Sequence, residues 1–426
     1  MARSACGGRL ARRLFPGGIL ALDYFGDWDL LRLPVYGLSL RRDLGGPRSI
    51  AALLRAALDL PWTCVAYAGG VENRPALLEA VERLALERGG IVLGNDAGAV
   101  RAVRDPATFF GFLRRAGIPH ADTRGAMAAA PRRPAGFWKP RRSGGGGGLR
   151  PAAPGETRPR GFFFQERLRG TPASVGFLAD GRRAFLLGAS EQIVGFRRLG
   201  GRGYRYGGSI AGPAAAILGG ENLAILAEAA TSITARFGLR GLNGLDVILT
   251  PDGRARVIEI NPRYTASMEL LEALAGRNLF DLHLRAALGR LPVRTSSGTM
   301  ADRRPRRVAP PPAVAFLAKG ILYAGRPLRG ARPEALAALG CRDIPVPGDL
   351  IGPDEPVLTV FAAAATPGAC RDELGRRADE ARRLLATRAG AAAACAKMPA
   401  KRAIHRQFER RSAPGRAGGM IRDGNL

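Results

Sequence analysis

Residues 241–264 read GLNGLDVILTPDGRARVIEINPRY. Two apolar runs flank a polar turn. Leu245, Val247 and Leu249 alternate with Asp246, Ile248 and Thr250, and Pro251-Asp252-Gly253 supplies turn chemistry. Arg256 to Asn261 again has strand composition, so the stretch predicts a β-hairpin. Glu259 and Asn261 are two apart and share a face, and hairpin pairing brings Asp246 to the same side. Two carboxylates and an amide oxygen form an all-oxygen set of the kind that holds Mg²⁺, usually shared with substrate phosphates. An exposed hairpin would leave the same groups in water. The surrounding run is nearly continuous apolar, which favours burial, and buried carboxylates need partners or a metal.

The chain has 426 residues, enough for two or three domains, and 46% of them are apolar, as in globular proteins. The formal charge is +29. Only four of the 65 basic residues are lysines, Lys139, Lys319, Lys397 and Lys401. So large an arginine skew, with abundant Ala, Gly and Pro, points to mutational bias. It weakens the inference from charge to a nucleic-acid partner. The basic residues are scattered and no aromatic stacking platform is visible, so a nucleic-acid partner is not expected. The five cysteines are widely spaced, with no CxxC or Cys/His ligand pattern, as for free thiols in a reducing compartment. The start, MARSACGGRLARRLF, is followed by an apolar run cut by Pro16-Gly17-Gly18 and then by Asp23, Asp27 and Asp29. That is a poor secretory signal, and no uncharged run reaches membrane-spanning length. A soluble, cytoplasmic protein without a membrane partner is expected.

Residues 1–17 read as a loose basic extension. Between 18 and 100, strand candidates (18–25, 63–68, 91–93) alternate with helical patterns (50–60, 75–89). That alternation predicts a small parallel sheet with ligands beyond its strand ends. Asp23, Asp27, Glu72, Asn73 and Asn95 follow predicted strands and are candidates to line a substrate site. Asp105-Pro106 opens a compact helix that ends at Gly117. Lys139 is the only lysine among the first 318 residues, and Gly144, Gly145, Gly146, Gly147 and Gly148 follow it. A retained lysine marks a position needing a compact ammonium. A glycine loop can bring backbone N–H groups against phosphates. It is neither a P-loop nor a Rossmann fingerprint. Strand GFFFQERL (161–168), a hairpin across Asp180-Gly181 and an amphipathic helix (221–238) lead to the 241–264 hairpin. Residues 265–288 read as helical, 290–312 as a Pro/Arg-rich linker, 313–361 as short strands, and the tail as mobile.

Four features thus stand in order: Lys139 before the glycine loop, QERLRG at 165–170, Asp246, and ExNPR at Glu259, Asn261 and Arg263. This order resembles the ATP-grasp superfamily, which includes biotin carboxylase and many carboxylate–amine ligases. The resemblance spans residues 15–361. DYFGDWD, YAGGVENRP, RDPATFFGFLRRAGIP and DIPVPGDLIG look most like the predicted ATP-dependent carboligases related to biotin carboxylase, some linked to pterin-dependent one-carbon metabolism. The resemblance implies an α/β and α+β architecture. A pre-ATP-grasp parallel-sheet domain (18–100) precedes an ATP-grasp domain (101–290, lid about 108–163) whose two α+β subdomains clasp ATP. A small β-rich C-terminal domain (291–365) and a helix with a basic tail (366–426) follow.

The resemblance also implies roles. Lys139 would contact the ATP phosphates under the glycine loop. Glu166, with the backbone of Arg167 and Leu168, would meet adenine. Asp246, Glu259 and Asn261 would hold one or two Mg²⁺, or Mn²⁺. Arg263 would stabilise a phosphorylated intermediate or a substrate carboxylate. Many relatives carry a second phosphate-binding lysine where this chain has Pro106, and Arg104 and Arg101 are the nearby cations that could compensate. No biotin-carrier region or attachment motif accompanies the resemblance. The expected activity is an ATP- and Mg²⁺-dependent ligase joining a carboxylate to an amine through an acylphosphate. Bicarbonate carboligase chemistry and non-catalytic ATP binding are the alternatives, and a homodimer is the expected assembly.

Overall fold

The alternation at 245–250 pairs as a hairpin. Strands Arg240–Leu249 and Ala255–Asn261 are antiparallel, with Asp246 opposite Glu259 and Gly244 opposite Asn261. The register slips after Asp246, so that Val247 faces Val257 and Ile258 is left without a partner. Such a bulge frees one backbone unit from the ladder. The structure, a computed structural model, describes residues 1–14, 18–44, 49–60, 62, 64–294, 300–301 and 315–386. Most of the 290–312 linker, the tail beyond 386 that the sequence predicts to be mobile, and Cys395 lie outside the described residues.

The hairpin forms one edge of a seven-stranded sheet. Inward from it come Thr171–Asp180, Ala184–Val194, Tyr206–Ala211, Phe316–Tyr323 and Pro356–Ala364. Helix Gly220–Phe237 covers one face and seals a core with Val175, Phe177, Leu245, Val247 and Ile233. It stops at Gly238, whose φ of +67° is a left-handed conformation that favours glycine. Helices Met268–Ala275 and Leu279–Ala287 lie on the other face, over Leu178 and Leu242. The 265–288 segment is therefore two helices, divided where Gly276 takes φ +59° and Asn278 caps the second.

A separate four-stranded sheet, ordered Thr123–Arg124, Phe162–Glu166, Gly136–Pro140 and Arg150–Ala152, carries Lys139 and the glycine loop. Its small core is Ala130, Trp138 and Phe164. Among the described residues the N-terminal part holds two separate parallel pairs, Leu20–Asp23 with Tyr36–Ser39 and Cys64–Ala66 with Ile91–Leu93, rather than one continuous sheet.

Two readings are corrected by packing. The basic extension is not loose: Ala2–Gly7 and Arg9–Leu14 are helical, and Ser4, Ala5 and Ala11 are buried. The Asp281 carboxylate accepts the N–H groups of Arg9, Leu10 and Ala11 at 2.8–3.1 Å, capping the second helix from a distant element. Of the described C-terminal strands after residue 313, only the short pair Leu328–Arg329 and Leu350–Ile351 forms a sheet of its own. Phe316–Tyr323 and Pro356–Ala364 extend the central sheet, and helix Pro367–Ala386 packs on them through Cys370, Leu374 and Ala378. Among the described residues Cys6, Cys64, Cys341 and Cys370 form no disulfide. Among the described residues no helix is long and apolar enough to cross a membrane.

Candidate active site

Sheet pairing assembles a polar row on one face of the apolar sheet. Asp246 stands beside Glu259 on one side and Ser174 on the other, and Ser174 faces Ser190. Two residues along, Gln192 faces Ser209, which faces Lys319. The three residues expected at the metal position meet at the hairpin end of this row. Asn261 Nδ2 donates to Asp246 Oδ2 at 3.0 Å, and Gln192 Nε2 donates to Asp246 Oδ1 at 2.9 Å.

Lys139 reaches this cluster from the small sheet. Its Nζ donates to Glu259 Oε2 at 2.7 Å. From the other side Arg104 Nη1 donates to Glu259 Oε1 at 2.5 Å, and its Nη2 reaches the Ser143 carbonyl, beside the glycine loop, at 3.2 Å. The bulge assists: the unpaired Ile258 carbonyl accepts from Gln165 Nε2 at 3.0 Å and from Lys139 Nζ at 3.5 Å. Of the two arginines considered for the missing lysine, Arg104 is in the site. Arg101 points to the surface and pairs with Glu79.

Burial and charge act oppositely on the two carboxylates. Burial, with the neighbouring charge of Glu259, pushes Asp246 up to about 6. Burial would raise Glu259 as well, but Lys139 and Arg104 outweigh it and bring Glu259 down to about 2. A like-charged buried pair with an amide beside it suits a divalent cation, and here the ammonium and guanidinium supply the counter-charge. The donor set, Asp246, Glu259 and Asn261, is all oxygen and fits Mg²⁺. Among the described residues there is no cluster of three His, Cys, Asp or Glu that would compete as a metal site.

The N-terminal candidates divide. Arg263 Nε donates to Glu72 Oε1 at 2.7 Å, and Arg263 Nη2 donates to Asn261 Oδ1 at 3.2 Å. Asn73 Oδ1 lies 3.5 Å from Arg104 Nη2. Glu72 and Asn73 are therefore at the site, and Glu72 Oε2 is buried with no hydrogen-bond partner among the described residues. Asp23 instead accepts the Phe25 and Gly26 N–H groups in its own turn. Asp27 sits with Asp23, Asp29 and Asp343, away from Glu259. Burial and those neighbours push it up to about 9. Asn95 is buried, with 1% of its surface exposed.

At the expected adenine position, the Glu166 and Arg167 N–H groups are taken by the carbonyls of Asp122 and Ala135 at 2.8 and 2.9 Å. Arg167 lies over the Phe137 ring. The glycine loop is docked: Tyr206 N–H donates to the Gly145 carbonyl at 2.9 Å. Gly145, Gly146 and Gly148 all take left-handed φ angles, of +61°, +77° and +73°.

Sequence reasoning gave Gln165 no role in the site, although it opens the QERLRG stretch, and did not single out Gln192 or the group of Lys319, Glu269 and Arg342. Lys319 Nζ donates to Glu269 Oε2 at 2.7 Å, and Arg342 contacts the other Glu269 oxygen. The scarcity of lysine that singled out Lys139 applies equally to Lys319. These are the only two lysines among the described residues, and both are buried and paired to a carboxylate. The two glutamines carried no comparable signal.

Residues 105–267 match the family model for the ATP-grasp domain. No curated protein sequence matches the chain. Among solved structures, the biotin carboxylase domain of 2-oxoglutarate carboxylase from Hydrogenobacter thermophilus aligns with a TM-score of 0.61 at 13% identity, over 85% of this chain and 84% of that one. It was solved with Mg·ADP, ADP and bicarbonate. Biotin carboxylase from Campylobacter jejuni gives 0.61 at 13% identity, over 87% and 86% of the two chains. The L-amino acid ligase from Bacillus licheniformis gives 0.55 at 15% identity, over 85% and 97%. At such identities these are likenesses of fold. The chain thus carries an ATP-grasp domain at residues 105–267 and has the ATP-grasp fold.

Proposed function

We propose that the protein is an ATP- and Mg²⁺-dependent ligase that activates a carboxylate as an acylphosphate and joins it to an amine. One observation carries this reading. Lys139 and Arg104 converge on Glu259 beside Asp246 and Asn261, under a glycine loop and inside an ATP-grasp domain.

Mg²⁺ held by Asp246, Glu259 and Asn261 would neutralise phosphate charge. Lys139 and Arg104, which each hold one oxygen of Glu259, would be the cations that face the phosphates. A substrate carboxylate oxygen attacks the γ-phosphorus and ADP leaves. The amine nitrogen then attacks the acyl carbon, phosphate departs and the nitrogen loses a proton. The protein's task is alignment and charge neutralisation rather than covalent catalysis. Arg263, beside Asn261, is placed to receive a phosphoryl or carboxylate oxygen once Glu72 yields it. The polar row continues from there to Lys319, which supports a second substrate anion along the same face. The fold likeness to the L-amino acid ligase supports an amine acceptor, and the likeness to the bicarbonate-bound biotin carboxylase domain supports bicarbonate as the competing carboxyl donor. This reading goes with a cytoplasmic protein, where ATP and reduced cysteines coexist. It also goes with a homodimer, the form of the Hydrogenobacter domain.

The test is ADP release by the purified protein with ATP and Mg²⁺ across pools of amino acids, small amines, bicarbonate and pterin carboxylates, beside Lys139→Ala. Substrate-stimulated release lost in Lys139→Ala supports the ligase. Release with bicarbonate and no amine replaces it by carboxyphosphate chemistry. ATP binding without release in any pool leaves a non-catalytic nucleotide binder.

A further inference from the structure

Asn95 lies far from the candidate ligands in sequence, yet it is bonded to the turn that carries them. Its side chain is 1% exposed and both amide atoms are used. Nδ2 donates to the Pro262 carbonyl at 2.9 Å and to Asn243 Oδ1 at 2.8 Å, and Oδ1 accepts the Arg240 N–H at 2.7 Å. Its own carbonyl accepts from Tyr67 Oη at 2.6 Å. Pro262 separates Asn261 from Arg263, and Arg263 N–H folds back on the Asn261 carbonyl at 2.8 Å. The Pro262 carbonyl is thus the handle by which the orientation of both flanking side chains is held.

The residue after Asn95 ties the same point to the phosphate side of the site. Asp96 caps helix Ala97–Arg104, accepting the Ala99 N–H at 2.7 Å. That helix ends at Arg104, which grips Glu259. Asn95-Asp96 therefore joins two parts of the site. Asn95 holds the turn with Asn261 and Arg263, and Asp96 starts the helix that delivers Arg104. A shift of either partner would change the spacing between Arg104 and the hairpin.

We propose that Asn95 is a positioning residue for Mg²⁺-nucleotide binding, holding the Asn261-Pro262-Arg263 turn in register with the helix that bears Arg104. The inference rests on the nucleotide reading of the site. Asn243 provides the control, because it shares the Asn95 bond but its side chain otherwise reaches, among the described residues, the Arg240 and Gly241 carbonyls.

The experiment titrates a non-hydrolysable ATP analogue into wild type, Asn95→Ala, Asn95→Ser and Asn243→Ala, with and without Mg²⁺, and records Tm for each. The expected result is an affinity for the Mg²⁺-analogue about 10-fold or more weaker in Asn95→Ala, the usual loss when a group that orients metal ligands is removed. Its metal-free affinity stays at the wild-type level. Asn243→Ala lowers Tm but keeps the wild-type gain from Mg²⁺. Asn95→Ser retains a single donor and covers the case in which Asn95→Ala does not fold; it is expected at an intermediate affinity. Wild-type response to Mg²⁺ in the Asn95 variants, or equal loss in Asn95→Ala and Asn243→Ala, overturns the role. A wild type that binds the analogue equally with and without Mg²⁺ overturns the metal assignment and the role with it, and a wild type that does not bind the analogue at all overturns the nucleotide reading.

Discussion

Lys139 and Arg104 each hold one oxygen of the same carboxylate: Nζ lies 2.7 Å from Glu259 Oε2 and Nη1 lies 2.5 Å from Oε1. Both cations are largely buried, so little water is available to replace Glu259. In Glu259→Gln two positive charges remain with an amide between them. Leaving buried charges unpaired costs about 3–5 kcal/mol, so Tm should fall markedly. Metal-free ATP should bind more tightly, because the cations are no longer neutralised, while the gain from Mg²⁺ disappears. Calorimetric titration with and without Mg²⁺ reads both effects. A variant that still responds to Mg²⁺ would remove Glu259 from the metal set.

Arg104 and Arg101 are three residues apart on one helix but meet different surroundings. Arg104 is at the site, whereas Arg101 pairs with Glu79 at the surface. Charge-assisted hydrogen bonds to phosphate contribute about 1.5–3 kcal/mol, so Arg104→Ala should weaken ATP binding about 10- to 100-fold. Arg101→Ala loses only an exposed pair and should change affinity less than about 2-fold. Equal effects of the two variants would contradict the assignment of Arg104 as the second phosphate cation.

The glycine loop offers a test by contrast. A Cβ on Gly146 would strike the Tyr204 carbonyl, and its φ of +77° is strained for other residues. A Cβ on Gly144 meets nothing within 4 Å. Gly146→Ala should therefore lift the loop off the 204–206 segment, raise the KM for ATP several-fold and open 141–150 to limited proteolysis. Gly144→Ala should leave both unchanged. Proteolysis at the same rate in both variants would show that the docked loop does not control access.

His283 ties the N-terminal part to the base of the hairpin: Nδ1 accepts the Leu242 N–H at 2.9 Å and Nε2 faces the Leu93 carbonyl at 3.0 Å. Burial lowers its pKa from 6.5 to about 4. The unfolded chain thus binds this proton more readily than the folded one. The contribution to stability is complete above pH 6.5 and is lost as pH falls from there to about 4. The 2.5-unit difference corresponds to about 3 kcal/mol. Urea midpoints between pH 7 and 4 should show that slope, and it should flatten in His283→Asn. An unchanged slope in the variant would place the titration elsewhere.

Much of this site is legible in local pattern. Alternation at 245–250 and the Pro-Asp-Gly turn specify a hairpin, and a period of two puts Asp246, Glu259 and Asn261 on one face. Scarcity of lysine draws attention to Lys139. The same argument reaches Lys319, but with no motif around Lys319 its sheet neighbours, Ser209 and Phe361, are invisible in sequence. Gln165 and Gln192 are unremarkable amides until a bulge frees the Ile258 carbonyl and a neighbouring strand brings Gln192 to Asp246.

The sequence by itself determined the hairpin, its metal-type oxygen set, the lysine–glycine loop and the order in which they occur. All of these depend on residue type and short-range periodicity. Tertiary structure alone decided that Arg104 rather than Arg101 enters the site. It also decided that Glu72 holds Arg263, that Asn95 grips the Pro262 carbonyl, and that two C-terminal strands complete the central sheet. The physical reason is range. Backbone geometry relates residues a few positions apart. Glu72 and Arg263 lie 191 positions apart, and their approach depends on how whole elements pack.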